Sequence, residues 1–264
     1  MAKRKCVGCG VELSGHNATG EHALPDWLAK EIYIPSASLK HYLHDEGSGA
    51  DALVRSHSLG TFEIKKVCFA CNTGWMSNLE VRVKPLLLGL MDGRVTLSNL
   101  SASENAVLSD WAVKTAFMIA AVQSKPLDLP WHRFQSLRSA SGSHGCLVFA
   151  AHLPTLPNGF SYTCQPNELP GRTTPVQVRI GFYVRHLHFV VIIPIFDGPR
   201  VARISNGLHI PLCLPDGELI HSSAMMTPRS NKLDDFLNSL TMTVEAAIIT
   251  GKSQTEQRPK DERK

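Results

Sequence analysis

The sequence predicts an α+β fold in two parts, and three observations lead to this expectation. Two Cys-x-x-Cys pairs, Cys6 with Cys9 and Cys68 with Cys71, enclose the first part. Ser101 and Glu104 form a capping-box pattern that opens a long apolar helix. Strand-like segments separated by proline and glycine then fill residues 145–215, which indicates a mainly antiparallel sheet. We expect a first part over residues 1–95, an accessory α+β domain over 96–250 and a disordered tail over 251–264.

The two cysteine pairs have the spacing of a metal site. Four thiolates in two such knuckles can hold one tetrahedral Zn²⁺, and a site closed by four thiolates is structural rather than catalytic. Lysines precede both pairs and favour the thiolate form, which binds metal. One pair alone could be a redox motif, but residues 1–20 lack the βαβ pattern of a thioredoxin-like site. We therefore predict a structural zinc held by Cys6, Cys9, Cys68 and Cys71.

Three polar residues beside these cysteines are suited to phosphodiester hydrolysis. Glu21 and His22 are adjacent between the two knuckles, and Asn72 directly follows the second. A histidine of ordinary pKa, about 6.5, can take a proton from water near neutral pH. Carboxylate and amide oxygens suit a hard cation such as Mg²⁺, which can stabilise a leaving oxygen. For His22 the simpler alternative is a surface or hydrogen-bonded structural histidine, but the adjacent acid and flanking knuckles favour a function.

Taken together, the Cys-x-x-Cys, Glu-His and Cys-x-x-Cys-Asn motifs resemble the HNH endonucleases, or ββα-metal nucleases, in their zinc-stapled form. Residues 21–28 and 68–80 resemble a subgroup of bacteria and phages, and the resemblance covers residues 1–90. It implies that a β-hairpin presents Glu21 and His22 and that a helix beginning near Asn72 crosses it. It also implies that Glu21 and Asn72 bind a catalytic Mg²⁺ or Mn²⁺, and that His22 is the general base in the cleavage of DNA.

One position departs from the family pattern and leaves other functions open. The family usually has a middle asparagine five residues before the second knuckle, where this chain has Glu63. That asparagine steadies the loop holding the base, so another group, such as Ser58 or Thr61, would have to replace it. A non-catalytic zinc module that recognises nucleic acid or protein therefore stays an alternative. So does a ribonuclease with the same site, since the mechanism does not need a 2′-hydroxyl.

The charge of the chain permits a nucleic-acid partner without requiring one. The net charge is +4, but residues 1–90 carry ten Lys/Arg and nine Asp/Glu, so the first part is not a basic block. Four basic residues near the motif are the candidates for phosphate contact: Lys65, Lys66, Arg82 and Lys84. Five further arginines face one acid over residues 171–203 and indicate either a phosphate-binding surface or a solvated sheet face: Arg172, Arg179, Arg185, Arg200 and Arg203.

The local patterns predict the order of helices and strands. The first part should contain a short helix over residues 24–33, a polar inserted loop with one short element over 36–60 and a strand over 62–67. A helix should run from Thr73 to Pro85, with residues 86–100 as a connector. Glu80 on this helix could support the metal or His22, but a surface or capping carboxylate is the favoured interpretation. The capped helix should bury one stripe and close at Pro126. Strands are predicted over 145–151, 177–183, 187–195 and 200–204, and an amphipathic helix over 233–249.

Cysteine content and hydropathy predict a cytoplasmic protein. The longest apolar stretches, residues 116–122 and 189–193, are too short to span a bilayer. Residues 6–20 are polar where the apolar core of a signal peptide would follow the first basic residues. Seven cysteines, four of them in metal-site spacing, indicate a reducing compartment. A homodimer or a partner protein bound through the second part is compatible with the sequence.

Overall fold

The protein is described by a computed structural model over residues 4–32, 38–45, 50–58, 63–121, 127–139, 144–153, 160–168, 175–196, 201–204, 210–213 and 244–247. Within these residues the fold combines helices with antiparallel sheets, so the predicted α+β class is confirmed. The tail predicted over residues 251–264 lies outside the described residues.

The first part contains two antiparallel strand pairs. β1 (Ala18–His22) is followed by α1 (Asp26–Ile32), close to the helix predicted there. β2 (Ser38–Asp45) and β3 (Ala50–Ser58) pair with each other, so the prediction of an inserted loop is wrong. The glycines between these strands form a hairpin pattern that their many polar residues obscured. β4 (Glu63–Cys68) then pairs with β1.

The helical segment after β4 begins earlier and ends later than predicted, and it is kinked. α2 (Phe69–Cys71) and α3 (Ser77–Met91) flank a π-helical turn (Asn72–Met76), in which the backbone of Gly74 is not helical, with φ −92° and ψ −110°. Pro85 lies inside α3, so the predicted end there and the connector over residues 86–91 are wrong. Proline removes one helical hydrogen bond, but Pro85 and Val81 are exposed, so water can bind the freed Val81 carbonyl. The helix ends in a turn at Asp92 and Gly93, where Gly93 has a left-handed φ of 71°.

The second part is built around α4 (Ala102–Ala121). The predicted capping box is confirmed: the Glu104 N–H donates to Ser101 Oγ over 3.3 Å, and the Ser101 N–H donates to Glu104 Oε2 over 2.8 Å. Every residue from Leu108 to Ala120 is buried, so the predicted single stripe is wrong. The reason is that α4 is enclosed between α3 and the large sheet. A short helix that was not predicted, α5 (Trp131–Ser136), also contacts it.

Most strands of the second part join one antiparallel sheet. These strands are β5 (Leu147–His152), β6 (Phe160–Glu168), β7 (Pro175–Val184), β8 (Leu187–Pro194) and, after β9 (Val201–Ile204), β10 (Ile210–Cys213). Their order is β10-β5-β8-β7-β6, so the mainly antiparallel sheet is confirmed, although β6 and β10 were not predicted. β11 (Val244–Ala247) pairs with β9, so the predicted amphipathic helix is wrong at residues 244–247.

A single cluster of buried residues extends from the knuckles into the sheet. Trp75 of the π-helical turn meets Phe134 of α5 edge to face, with ring centroids 5.4 Å apart. The Gln135 side-chain amide donates to the Val7 carbonyl over 3.2 Å, which ties α5 to the first knuckle. The described residues before and after residue 95 thus share one core, and a domain boundary there stays a prediction. Within the described chain, no helix is both long and apolar enough to cross a membrane.

Candidate metal centre and catalytic site

The four cysteines of the two knuckles come together in the structure. The Sγ atoms of Cys6, Cys9, Cys68 and Cys71 all lie within 4.8 Å of one another, and those of Cys9 and Cys68 are 3.7 Å apart. A tetrahedral zinc with Zn–S bonds of about 2.3 Å would separate its sulfurs by about 3.8 Å. The cluster can therefore bind a metal such as zinc with little rearrangement. Among the residues that the structure describes, it is the one such group of potential ligands.

Backbone contacts shape the cluster around its sulfurs. Gly10 has a φ of 76°, a left-handed conformation that favours glycine, and its N–H donates to the Cys6 carbonyl over 2.7 Å. A Cβ on Gly8 would lie 3.1 Å from Cys71 Sγ, so glycine allows the first knuckle to approach the second closely. The Cys68 N–H donates to Cys6 Sγ over 3.2 Å.

The thiols of the cluster differ in their ease of ionisation. Burial raises the pKa of Cys68 and the pKa of Cys71. Burial also acts to raise the pKa of Cys6, but the N–H groups of Cys68 and Gly8 outweigh it and leave this pKa lowered. A bound cation stabilises thiolates, so metal binding would offset the effect of burial.

β1 presents Glu21 and His22 to opposite sides of the β1–β4 pair, as neighbours on a strand must be. Glu21 faces the core and is 4% exposed, and its partner in register, Ile64, is also buried. The His22 side chain is 33% exposed, and its Nε2 atom lies 4.0 Å from Asp26 Oδ1. The histidine is thus the solvent-accessible member of the pair.

Asn72 joins the helix to β1 beside Glu21. Its side-chain Nδ2 donates to the Gly20 carbonyl over 2.8 Å and lies 3.5 Å from Thr19 Oγ1. Asn72 caps the C-terminus of the short α2 and precedes the kink at Gly74, so it is not at the N-terminus of the long helix α3, and that expectation is wrong. The hydrogen bond from the amide nitrogen leaves the amide oxygen to act as an acceptor or a metal ligand.

A lysine that the sequence motifs did not include completes the site. Lys114 of α4 has a fully buried side chain that forms ion pairs with Glu21 and with Glu80, the latter at 2.8 Å. Its Nζ also lies 3.5 Å from the His22 carbonyl oxygen. Glu80 was expected to be a surface or capping carboxylate, and its pairing with Lys114 shows that this is wrong. One sequence signal was present, since a lysine in the middle of an apolar helix is rarely buried without a partner.

The charges of this ion-paired group stabilise one another. Burial raises the pKa of Glu21, although the neighbouring Lys114 ammonium acts to lower it. For Lys114 burial acts to lower the pKa, but the carboxylates of Glu21 and Glu80 outweigh it and leave the pKa raised. Lys114 is therefore charged, with its counter-ions supplied by β1 and α3.

Glu63, which stands where the family has its middle asparagine, lies on the same side of the β1–β4 pair as His22. The two residues are partners in register. A Cβ on Gly20 would overlap the Glu63 carboxylate, so glycine provides the space in which this side chain lies. Of the two proposed substitutes for the asparagine, Thr61 lies outside the described residues and Ser58 ends β3.

The candidate phosphate contacts have different environments. Lys65, Lys66 and Arg82 are exposed, whereas the Lys84 ammonium is partly buried and lies 5.2 Å from the Trp27 ring centroid. Of the arginines in the second part, Arg179 is only 4% exposed. The prediction that it belongs to a phosphate-binding surface is therefore wrong. Arg185 is 3.7 Å from Asp92, Arg203 lies in β9, and Arg172 and Arg200 lie outside the described residues.

Comparisons with known proteins do not assign the chain to a family. No family model matches it, and neither curated proteins nor solved structures give a match. The resemblance to HNH endonucleases rests on the motifs of the chain itself.

Proposed function

We propose that this protein is a metal-dependent endonuclease of the HNH type that hydrolyses phosphodiester bonds of DNA. The observation that carries the proposal is the hydrogen bond from Asn72 to the Gly20 carbonyl, which holds the helix beside Glu21 and His22. The four-cysteine cluster lies at the junction of β4 and this helix, where a structural zinc would fix their relative position. These residues have the types and the order of the HNH motif, except that Glu63 stands at the position of its middle asparagine.

Each polar residue has a distinct part in the proposed reaction. His22 is exposed enough to meet a water molecule and would take its proton as the water attacks phosphorus. Asp26 Oδ1 lies 4.0 Å from His22 Nε2, which is beyond direct hydrogen-bond distance. Glu21 and Asn72 offer oxygen ligands for Mg²⁺ or Mn²⁺, whose chemistry when bound is to stabilise charge on the phosphate and the leaving oxygen. Lys65, Lys66, Arg82 and Lys84 are the proposed contacts to the DNA backbone.

The proposal is tested by the cleavage of supercoiled plasmid with and without Mg²⁺ or Mn²⁺. His22→Ala should keep its zinc and its unfolding midpoint but lose cutting. His132→Ala, which changes an exposed histidine of α5, is the matched control and should cut like the wild type. Metal-dependent cutting that survives in His22→Ala would show that His22 is not the base.

A second candidate function is a non-catalytic zinc module that recognises nucleic acid or protein. The pairing of Glu21 with Lys114 favours it in the case that the ammonium replaces the catalytic cation at this carboxylate instead of orienting the carboxylate for it. It predicts a zinc-loaded protein that binds DNA or RNA without cutting, with no effect of His22→Ala on binding. Labelled RNA in the same assay tests for a ribonuclease, because only a ribonuclease would cut the RNA and leave the plasmid intact.

A further inference from the structure

The candidate site includes a charged side chain from outside the motif-bearing segment. Lys114 lies in α4, and its ammonium sits between Glu21 of β1 and Glu80 of α3. From these contacts we infer that Lys114 is a positioning residue of the nuclease site, one that fixes the Glu21 carboxylate and the strand carrying His22. This inference rests on the proposed function.

The position of Lys114 is one that packing alone does not explain. Its side chain is fully buried, and its helical neighbours Val113, Phe117 and Met118 are apolar and buried. Placing an ammonium there removes it from water, a cost that an apolar residue of similar length would avoid. We therefore look for the role of the Lys114 charge in its interactions, which are the ion pairs with Glu21 and Glu80.

The ammonium of Lys114 is occupied by groups of the protein. It donates to Glu80 Oε1 over 2.8 Å, lies 3.5 Å from the His22 carbonyl oxygen and forms an ion pair with Glu21. Because the side chain is fully buried, Lys114 does not reach a substrate. It acts through Glu21 and β1.

The same contacts show what Lys114 does for cation binding. Glu21 and Glu80 approach one ammonium from two different elements, and without it two negative charges would face each other in a largely buried place. They would separate or lose charge, and Glu21 would leave the position that Asn72 and Gly20 define. The proposed cation would then lose a ligand in a fixed orientation.

The test compares cation binding in zinc-loaded full-length variants. Mn²⁺ affinity is measured by electron paramagnetic resonance, and the Mg²⁺ concentration for half-maximal plasmid cutting is measured in parallel. Lys114→Met should weaken both by about 10- to 100-fold, the usual effect of losing a residue that orients a metal ligand. Lys114→Arg keeps the charge and should recover part of the loss. Lys30→Met, at an exposed lysine of α1, is the control and should match the wild type.

The outcomes separate this inference from other roles of the lysine. Unchanged half-saturation with less folded protein would mean that Lys114 serves stability alone, and tighter Mn²⁺ binding would mean that it competes with the metal. Either result overturns the inference. If Lys114→Met does not fold, the double variant Lys114→Met/Glu80→Gln replaces it, because removing the Glu80 charge leaves one buried carboxylate fewer without a partner. A wild-type Mn²⁺ affinity in that double variant would likewise overturn the inference.

The same measurements distinguish a failure of the nuclease proposal from a failure of the inference about Lys114. A wild-type protein that binds Mn²⁺ but cuts neither DNA nor RNA would overturn the nuclease and leave the Mn²⁺ comparison as the test of Lys114. A wild-type protein that binds no Mn²⁺ would overturn both.

Discussion

Removing one partner of the Glu21–Lys114 ion pair should destabilise the fold far more than exchanging both partners. Lys114 is fully buried and the Glu21 side chain is 5% exposed, so neither charge can turn to water when its partner is lost. Leaving one charge of a buried pair uncompensated costs about 3–5 kcal/mol, which we expect for Lys114→Met. Glu21→Gln should cost less, because Lys114 keeps Glu80 at 2.8 Å.

The double variant Lys114→Met/Glu21→Gln places two neutral side chains of similar size in the same space. It should recover part of the loss, with a coupling energy of about 2 kcal/mol or more. Urea unfolding of the four zinc-saturated proteins, followed by circular dichroism, provides the free energies. The reasoning is refuted if Lys114→Met costs less than about 1 kcal/mol, or if the double variant loses the full sum of the single changes.

Three further predictions concern other parts of the fold. Titration with a chromogenic zinc chelator should find one zinc per chain, and Cys71→Ser should lose it and unfold at lower temperature; a zinc-loaded Cys71→Ser would argue against the four-thiolate site. Burial raises the pKa of Asp110 from 3.8 to about 6, so this carboxyl lowers stability as pH rises. Asp110→Asn should therefore add about 3 kcal/mol at pH 7 and only about 0.5 kcal/mol at pH 4, whereas a gain independent of pH in urea unfolding would contradict this. Ser101→Ala removes the hydroxyl of the capping box and should cost about 1 kcal/mol in the same assay, and an unchanged unfolding midpoint would be inconsistent with the cap.

Features set by residues near one another in sequence could be predicted. The cysteine spacing brought all four thiols together, and Ser101 with Glu104 marked the start of α4. The antiparallel character of the sheet followed from short strands and turns. The capping box is decided by residues three positions apart, whereas the two cysteine pairs lie 59 residues apart (Cys9 to Cys68) and were recognised because each carries the same local Cys-x-x-Cys spacing.

Features set by distant contacts could not be read from the pattern. The contact of Lys114 with Glu21 joins residues on α4 and β1, and no local spacing indicates it. α4 was expected to have one apolar face because its enclosure between α3 and the predicted sheet depends on contacts between residues far apart in sequence. Pro85 usually ends a helix, but its exposed position allows α3 to continue past it.

The core shared by the knuckles and α5 has a consequence for how the chain can be divided. A cut in the exposed turn at Asp92 and Gly93 would leave the first piece with a bare Trp75 face, an unbonded Val7 carbonyl and a Glu21 carboxylate without its cation. Each piece alone should aggregate, yet the complementary surfaces should let the two reassemble when they are produced together. If each piece were fused to one of two proteins that associate when a small molecule is added, the proposed nuclease activity should depend on that small molecule.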